Sequence, residues 1–161
     1  MQEVTGDARD RHRPLWNTRL CDTGPAMSQR LAHVVAESAA GYAQKIRAGR
    51  HEWTADESKG RGGTDSGPNP YSLLLGALGA CTSITLRMYA QSKGWELGEV
   101  RVDLNLFKEG EADRIERQIR FSAPLSEEQL ARLAEIAEKT PVTRTVRQGA
   151  AVQTILHSGS V

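Results

Sequence analysis

Only two cysteines, Cys21 and Cys81, occur in 161 residues. A small secreted domain stapled by disulfides needs more, so both are expected to be free thiols in a reducing compartment. Charge of one sign is equally scarce. The chain carries 21 Lys and Arg against 20 Asp and Glu, a formal net charge of +1, which leaves no electrostatic footprint for nucleic acid. No stretch reads as the roughly 20 apolar residues that span a bilayer, and the N-terminus lacks the apolar core of a secretory signal. The expectation is a cytoplasmic protein without nucleic-acid or membrane partners. The four histidines, His12, His33, His51 and His157, show no metal-ligand spacing, so neither a metal nor a cofactor is expected. Residues 60–63 (GRGG) resemble a phosphate loop in composition only, without the Lys-Ser/Thr or the preceding strand that such a loop requires. There are no internal repeats.

What is present fits one globular domain. Apolar residues make up 39% and charged residues 25%, an ordinary balance, and the length suffices to bury a core. Residues 1–27 mix Arg, Asp, Gly and Pro without periodicity and read as a flexible extension. Cys21 lies in it as a surface thiol without a role, and Met27 is a candidate start of the domain, taken as 28–161. A hairpin or small meander is expected over 32–37, 42–47 and 51–55, with a turn at 48–50 and Trp53 central to its last strand. Residues 56–69 are a loop by composition. Asn69 then suits an N-cap and Pro70 the first position of a helix. That helix runs to about residue 92, with Gly94 as C-cap. Its first half is apolar around nearly the whole circumference, the mark of a buried helix. Gly76 and Gly79 within it permit close approach of a neighbour.

Alternation over 99–107 and 115–121 predicts a hairpin, the second strand placing Ile115, Arg117, Ile119 and Phe121 on one face. Ser126 and Gln129 form a capping-box pattern for a second helix, which ends before Pro141. A final strand is expected over about 150–156. Strands, a long helix, a hairpin, a helix and a strand make an α+β protein with antiparallel sheets.

Cys81 sits inside the long helix. From the residues alone it reads as a small buried hydrophobe rather than a reactive thiol. The run Gly67-Pro68-Asn69-Pro70-Tyr71-Ser72-Leu73-Leu74-Leu75-Gly76-Ala77-Leu78-Gly79-Ala80-Cys81-Thr82, however, resembles the central helix of the OsmC/Ohr family. There an Asn-Pro start leads to an Ala-Cys whose thiol attacks a peroxide. Lys139-Thr140-Pro141-Val142-Thr143-Arg144 resembles the family's second signature, a Cys-Pro-Val step. The resemblance extends over about residues 31–156. It implies an OsmC-like fold of antiparallel sheets packed around a long buried central helix in an intertwined homodimer, with the reactive Cys near the subunit interface.

Two positions depart from the pattern. The family's second cysteine falls on Thr140, which cannot close a disulfide. A helix-start Glu of the peroxidase branches falls on Tyr71. In those branches the Glu pairs with an Arg from the early hairpin, for which Arg50 is the first candidate here and Arg47 the second. Asn69, Tyr71 and Thr140 are candidate binding residues and Cys81 and Arg50 candidate catalytic ones. A buried thiol stays protonated unless a cation or a hydrogen-bond donor sits beside it, and an Arg keeps its charge and can also hold peroxide oxygens.

The resemblance therefore implies a thiol-dependent organic hydroperoxide reductase with one cysteine, regenerated by an external thiol reductant or conceivably by Cys21. The competing expectation is a binding module for a small apolar or electrophilic ligand that has lost turnover. The remaining residues offer less. Ser83 and Thr85 flank Cys81 without an evident base. Glu127, Glu128, Glu135 and Glu138 read as a solvated helix face, and Trp53 and Trp95 as core or interface residues.

Overall fold

The computed structural model describes residues 29–159. The extension expected over 1–27, Cys21 included, lies outside the described residues. The chain divides between His33 and Val34; of the first part only 29–33 are described, and they carry no helix or strand. The second part holds every element below.

Strands β1 (Val35–Glu37), β2 (Gln44–Ala48) and β3 (His51–Ala55) form an antiparallel sheet in sequence order. The turn at Gly49 joins β2 to β3 with Ala48 opposite His51, and Gly49 has φ 57°, a conformation that L side chains rarely adopt. Helix α1 spans Pro70–Lys93. Asn69 caps it by accepting from the Ser72 amide at 2.8 Å, and Gly94 ends it at φ 67°. The second sheet is the hairpin β4 (Val100–Glu109) and β5 (Ala112–Phe121). Its strands are longer and its turn shorter than the alternation alone marks. Helix α2 (Glu127–Glu138) starts on the expected capping box, both halves of which are formed between Ser126 and Gln129.

Two parts of the sequence reading are corrected. Residues 141–148 form a further helix, α3 (Pro141–Gln148). Pro141, which stops α2, also opens α3, where its fixed φ and missing N–H suit the first helical position. The strand expected over 150–156 is absent: those residues carry no helix or strand and pair with no neighbour, and Val152, Ile155 and Leu156 are exposed. Its apolar pattern has no neighbouring strand in this chain to complete a ladder.

The core lies where α1, α2 and the hairpin meet, around Leu86, Tyr89, Ala90, Leu97, Leu133 and Ala137. Fully burying a leucine such as Leu86 or Leu133 contributes about 2–3 kcal/mol. In the hairpin register Val100, Val102, Leu104 and Leu106 stand opposite Phe121, Ile119, Arg117 and Ile115. Gly79 permits the close approach of α1 to that sheet, since a Cβ there would sit 3.1 Å from Leu104 Cδ1. Gly76 meets nothing comparable.

The helix is central, but it is not buried all round in one chain. Leu78, Thr82, Leu86, Tyr89 and Ala90 face inward. Ile84 and Met88 lie on the other side and are exposed, by 58% and 48%, and Tyr71 and Leu74 are exposed in the first turns. A two-stranded hairpin covers only one side of a helix that is apolar on two. By length and composition α1 is also apolar enough to cross a membrane, which corrects the expectation that no segment approaches that threshold.

Candidate functional site

Cys81 is half-buried on α1. The first turn of α3 meets it: the Val142 amide points at Cys81 Sγ at 3.5 Å. The first amides of a helix have no partner within it and usually find one on the N-cap side chain. Thr140 is that N-cap, yet its hydroxyl makes no cap hydrogen bond. It pairs instead with Thr143 Oγ1 at 2.7 Å. The amide of Val142 is thereby left to the sulfur. Hydrogen bonds donated to a sulfur favour its anionic, nucleophilic form.

Behind this contact lies a polar cluster that the sequence did not disclose. Arg117, on the inward face of β5, is only 12% exposed at its side chain. Its Nη1 donates to Thr82 Oγ1 and to Thr143 Oγ1, each at 3.0 Å. Its Nη2 donates to Glu138 Oε1 at 2.9 Å, and Glu138 also pairs with Arg147. The hydroxyls are fully used. Thr82 donates back along α1 to Leu78 O at 2.8 Å. Thr143 donates to Ala137 O at 3.3 Å, which leaves Thr140 as donor in its pair with Thr143. Thr82 and Thr140 are both 0% exposed. Buried polar groups persist only when partnered, and here each has a partner.

The sequence-expected residues are distributed unevenly about this centre. Thr140 is held by Thr143, one residue beyond the Val142 amide that meets Cys81. Asn69 lies at the far end of α1, its side chain held by the helix cap. Tyr71 is exposed on α1. Arg50 is exposed at the β2–β3 turn and makes no ion pair among the described residues, and Arg47 is paired with Glu37 at 2.5 Å. Neither arginine is joined to Cys81 within one chain. Glu138, expected on a solvated helix face, is 47% exposed at its side chain and is also the counter-ion of the part-buried Arg117 guanidinium.

The loop that delivers α1 is built around Asp56. Its carboxylate, 2% exposed, accepts from the amides of Glu57, Thr64 and Ser66 and from the hydroxyls of Thr64 and Ser66 at 2.6–3.2 Å. These donors, the Thr64 hydroxyl foremost, hold its pKa well below the ordinary carboxylate range against the opposing effect of burial. Gly63 belongs to this packing: a Cβ there would lie 2.0 Å from Glu57 O. The GRGG stretch is thus a structural turn. An open groove of about 420 Å³ runs between α1 and β4, lined by Gly76, Gly79, Ala80 and Ser83 on one side and Val100, Val102 and Leu104 on the other. Among the described residues no three His, Cys, Asp or Glu side chains are grouped as a metal site.

Comparison with known proteins places this arrangement. No curated protein matches the sequence. Solved structures share the fold at low identity. A putative osmotic stress induced and detoxification response protein from Psychrobacter arcticus superposes with a TM-score of 0.65 at 14% identity, over 73% of this chain and 90% of its own. An organic hydroperoxide resistance protein OsmC from Legionella pneumophila gives 0.54 at 17%, over 74% and 92%. The organic hydroperoxide resistance protein OhrB of Bacillus subtilis gives 0.52 at 22%, over 72% and 90%. The family model for OsmC-like protein matches residues 63–155, a span holding Cys81, Arg117, Thr140 and Val142 and more than half of the sequence, and by that match the chain belongs to the OsmC-like protein family.

Proposed function

We propose that this protein reduces organic hydroperoxides through Cys81 alone, with an external thiol as reductant, in a reducing compartment such as the cytoplasm. The observation that carries the reading is the Val142 amide directed at the half-buried sulfur of Cys81: a thiol kept for packing has no use for a donor. The substrate class follows from the relatives described as organic hydroperoxide resistance proteins and from the apolar side chains of Leu74, Ile84 and Met88 on the same helix.

The chemistry balances as follows. The Cys81 thiolate attacks one peroxide oxygen, the O–O bond breaks, and the alkoxide leaves and is protonated to the alcohol. Cys81 becomes a sulfenic acid. With Thr140 where relatives of the family place a second cysteine, no internal disulfide closes. An external thiol attacks the sulfenic sulfur, water leaves, and a second thiol releases Cys81 from the mixed disulfide. The net change is hydroperoxide plus two thiols to alcohol, water and a disulfide.

The working unit in this reading is a homodimer. The uncovered face of α1 and the unpaired segment 150–156 carry exposed apolar side chains of the kind that a partner covers. In this reading a second copy supplies the early-hairpin arginine, Arg50 foremost, beside Cys81. The groove between α1 and β4 favours one rival, a small-ligand binder without turnover, because Leu75, Val100, Val102 and Leu104 offer it apolar side chains beside Ser83.

Mass spectrometry separates the two. One equivalent of cumene hydroperoxide without thiol should add a single oxygen to Cys81, trappable with dimedone. Excess peroxide should add a second oxygen, since nothing internal intercepts the sulfenic acid. A Cys81 that stays unmodified under excess peroxide would favour the binder.

A further inference from the structure

We infer that Arg117 is the positioning residue of this site, the group that holds the α3 amide on the Cys81 sulfur. The inference rests on Cys81 as the reactive centre, and not on which peroxide it meets.

The two atoms in contact belong to Cys81 and Val142. The next residues along their helices are Thr82 and Thr143, and these are the two residues whose hydroxyls Arg117 Nη1 grips, each at 3.0 Å. One nitrogen therefore sets the separation between α1 and α3 one residue beyond the reacting thiol. Nη2 ties the same guanidinium to the last residue of α2 through Glu138. A planar fork with donors in fixed directions can bridge three elements in this way, whereas an ammonium on a flexible stem cannot.

Stability alone does not account for the choice of residue. Holding a guanidinium at 12% exposure costs part of its hydration, which a carboxylate that is itself 47% exposed offsets only in part. Here the arginine stands between Leu104 across the hairpin and Ile115 and Ile119 on the same face of β5, where an apolar residue would pack. Two threonine hydroxyls, Thr82 and Thr143, and the Glu138 carboxylate accept from the cation at that point. The cation sits on the thiol side of the core, next to the residue that follows Cys81.

The direction of the effect separates positioning from scaffolding. If Arg117 were only a strut, its loss would loosen the α1–α3 contact and expose a half-buried thiol, and alkylation of Cys81 would speed up. If it holds the donor on sulfur, alkylation slows. The experiment measures the second-order rate of iodoacetamide alkylation at pH 7 in a Cys21→Ser background, so that Cys81 is the sole thiol. Arg117→Met is expected to react about tenfold more slowly, the scale of one charge-assisted hydrogen bond, and Arg117→Lys to fall between the two. In Arg117→Ala, added millimolar guanidinium is expected to restore much of the rate while leaving the parent unchanged. Thr143→Val, which keeps the arginine and removes its α3 acceptor, should also slow the reaction and serves as the deciding variant if the arginine variants do not fold. A folded Arg117→Met that reacts as fast as the parent or faster overturns the inference, as does an unchanged rate in Thr143→Val. Alkylation needs no peroxide, so a protein that fails to consume hydroperoxide but shows these rate changes loses the proposed reaction and keeps the inference.

Discussion

Asp56 is the clearest single residue by which the fold prepares its site. It lies between β3 and α1, and five donors converge on its carboxylate. Its folded-state pKa is depressed below the reference value of 3.8. A depressed carboxyl contributes stability that is fully present above its unfolded value and is lost as the pH falls through that value toward the folded one. The urea midpoint of the wild type should therefore fall between pH 5 and pH 3, and Asp56→Asn should start lower at pH 7 and lose less over the same interval. Equal slopes in the two proteins would remove Asp56 from the account. The sequence marked residues 56–69 as a loop from their Gly, Ser and Asp content, but not that one carboxylate organises it. The arginine was more legible than it first looks. An Arg on the same alternating face as Ile115, Ile119 and Phe121 requires a buried partner, and that was the available signal. The partners themselves were not, because Thr82, Thr143 and Glu138 lie 35, 26 and 21 residues away. Thr140 was found by motif alone; its burial and its pairing with Thr143 come from packing.

At the scale of elements, the signals that held were local. The Asn69 cap, the Ser126–Gln129 box, the Gly94 stop and the hairpin alternation each rest on residues within a few positions of one another, and each forms as expected. What failed depended on distant partners. The segment 150–156 alternates like a strand but has no neighbour to pair with in this chain. Residues 141–148 form a helix, which the alternation-based reading of the C-terminal residues does not contain. Helix α1 is where local and distant demands meet, because its inward face supplies the core. Leu86→Ala should lower unfolding free energy by about 2–5 kcal/mol with little change in denaturant slope, measured at fixed protein concentration because association would otherwise contribute. A loss under 1 kcal/mol would mean that the α1–α2 interface is not the main core.

The whole molecule is shaped by what α1 leaves uncovered. Tyr71, Leu74, Ile84 and Met88 on α1 and Val152, Ile155 and Leu156 in the last segment are exposed in a single chain, and large exposed apolar side chains of this kind mark surfaces that a partner covers. The homodimer reading predicts a sedimenting species of twice the 17.6 kDa chain at micromolar concentration, shifted to monomer by Ile84→Glu. A wild type that sediments as a monomer would contradict it. The central claim concerns turnover, and one assay addresses it directly: consumption of cumene hydroperoxide by wild type and Cys81→Ser, with dithiothreitol or a dihydrolipoyl thiol as donor. The account predicts many turnovers per chain in the wild type and none above background in Cys81→Ser, despite Thr140 in the second position. Equal consumption by both proteins, or none by the wild type, would contradict it.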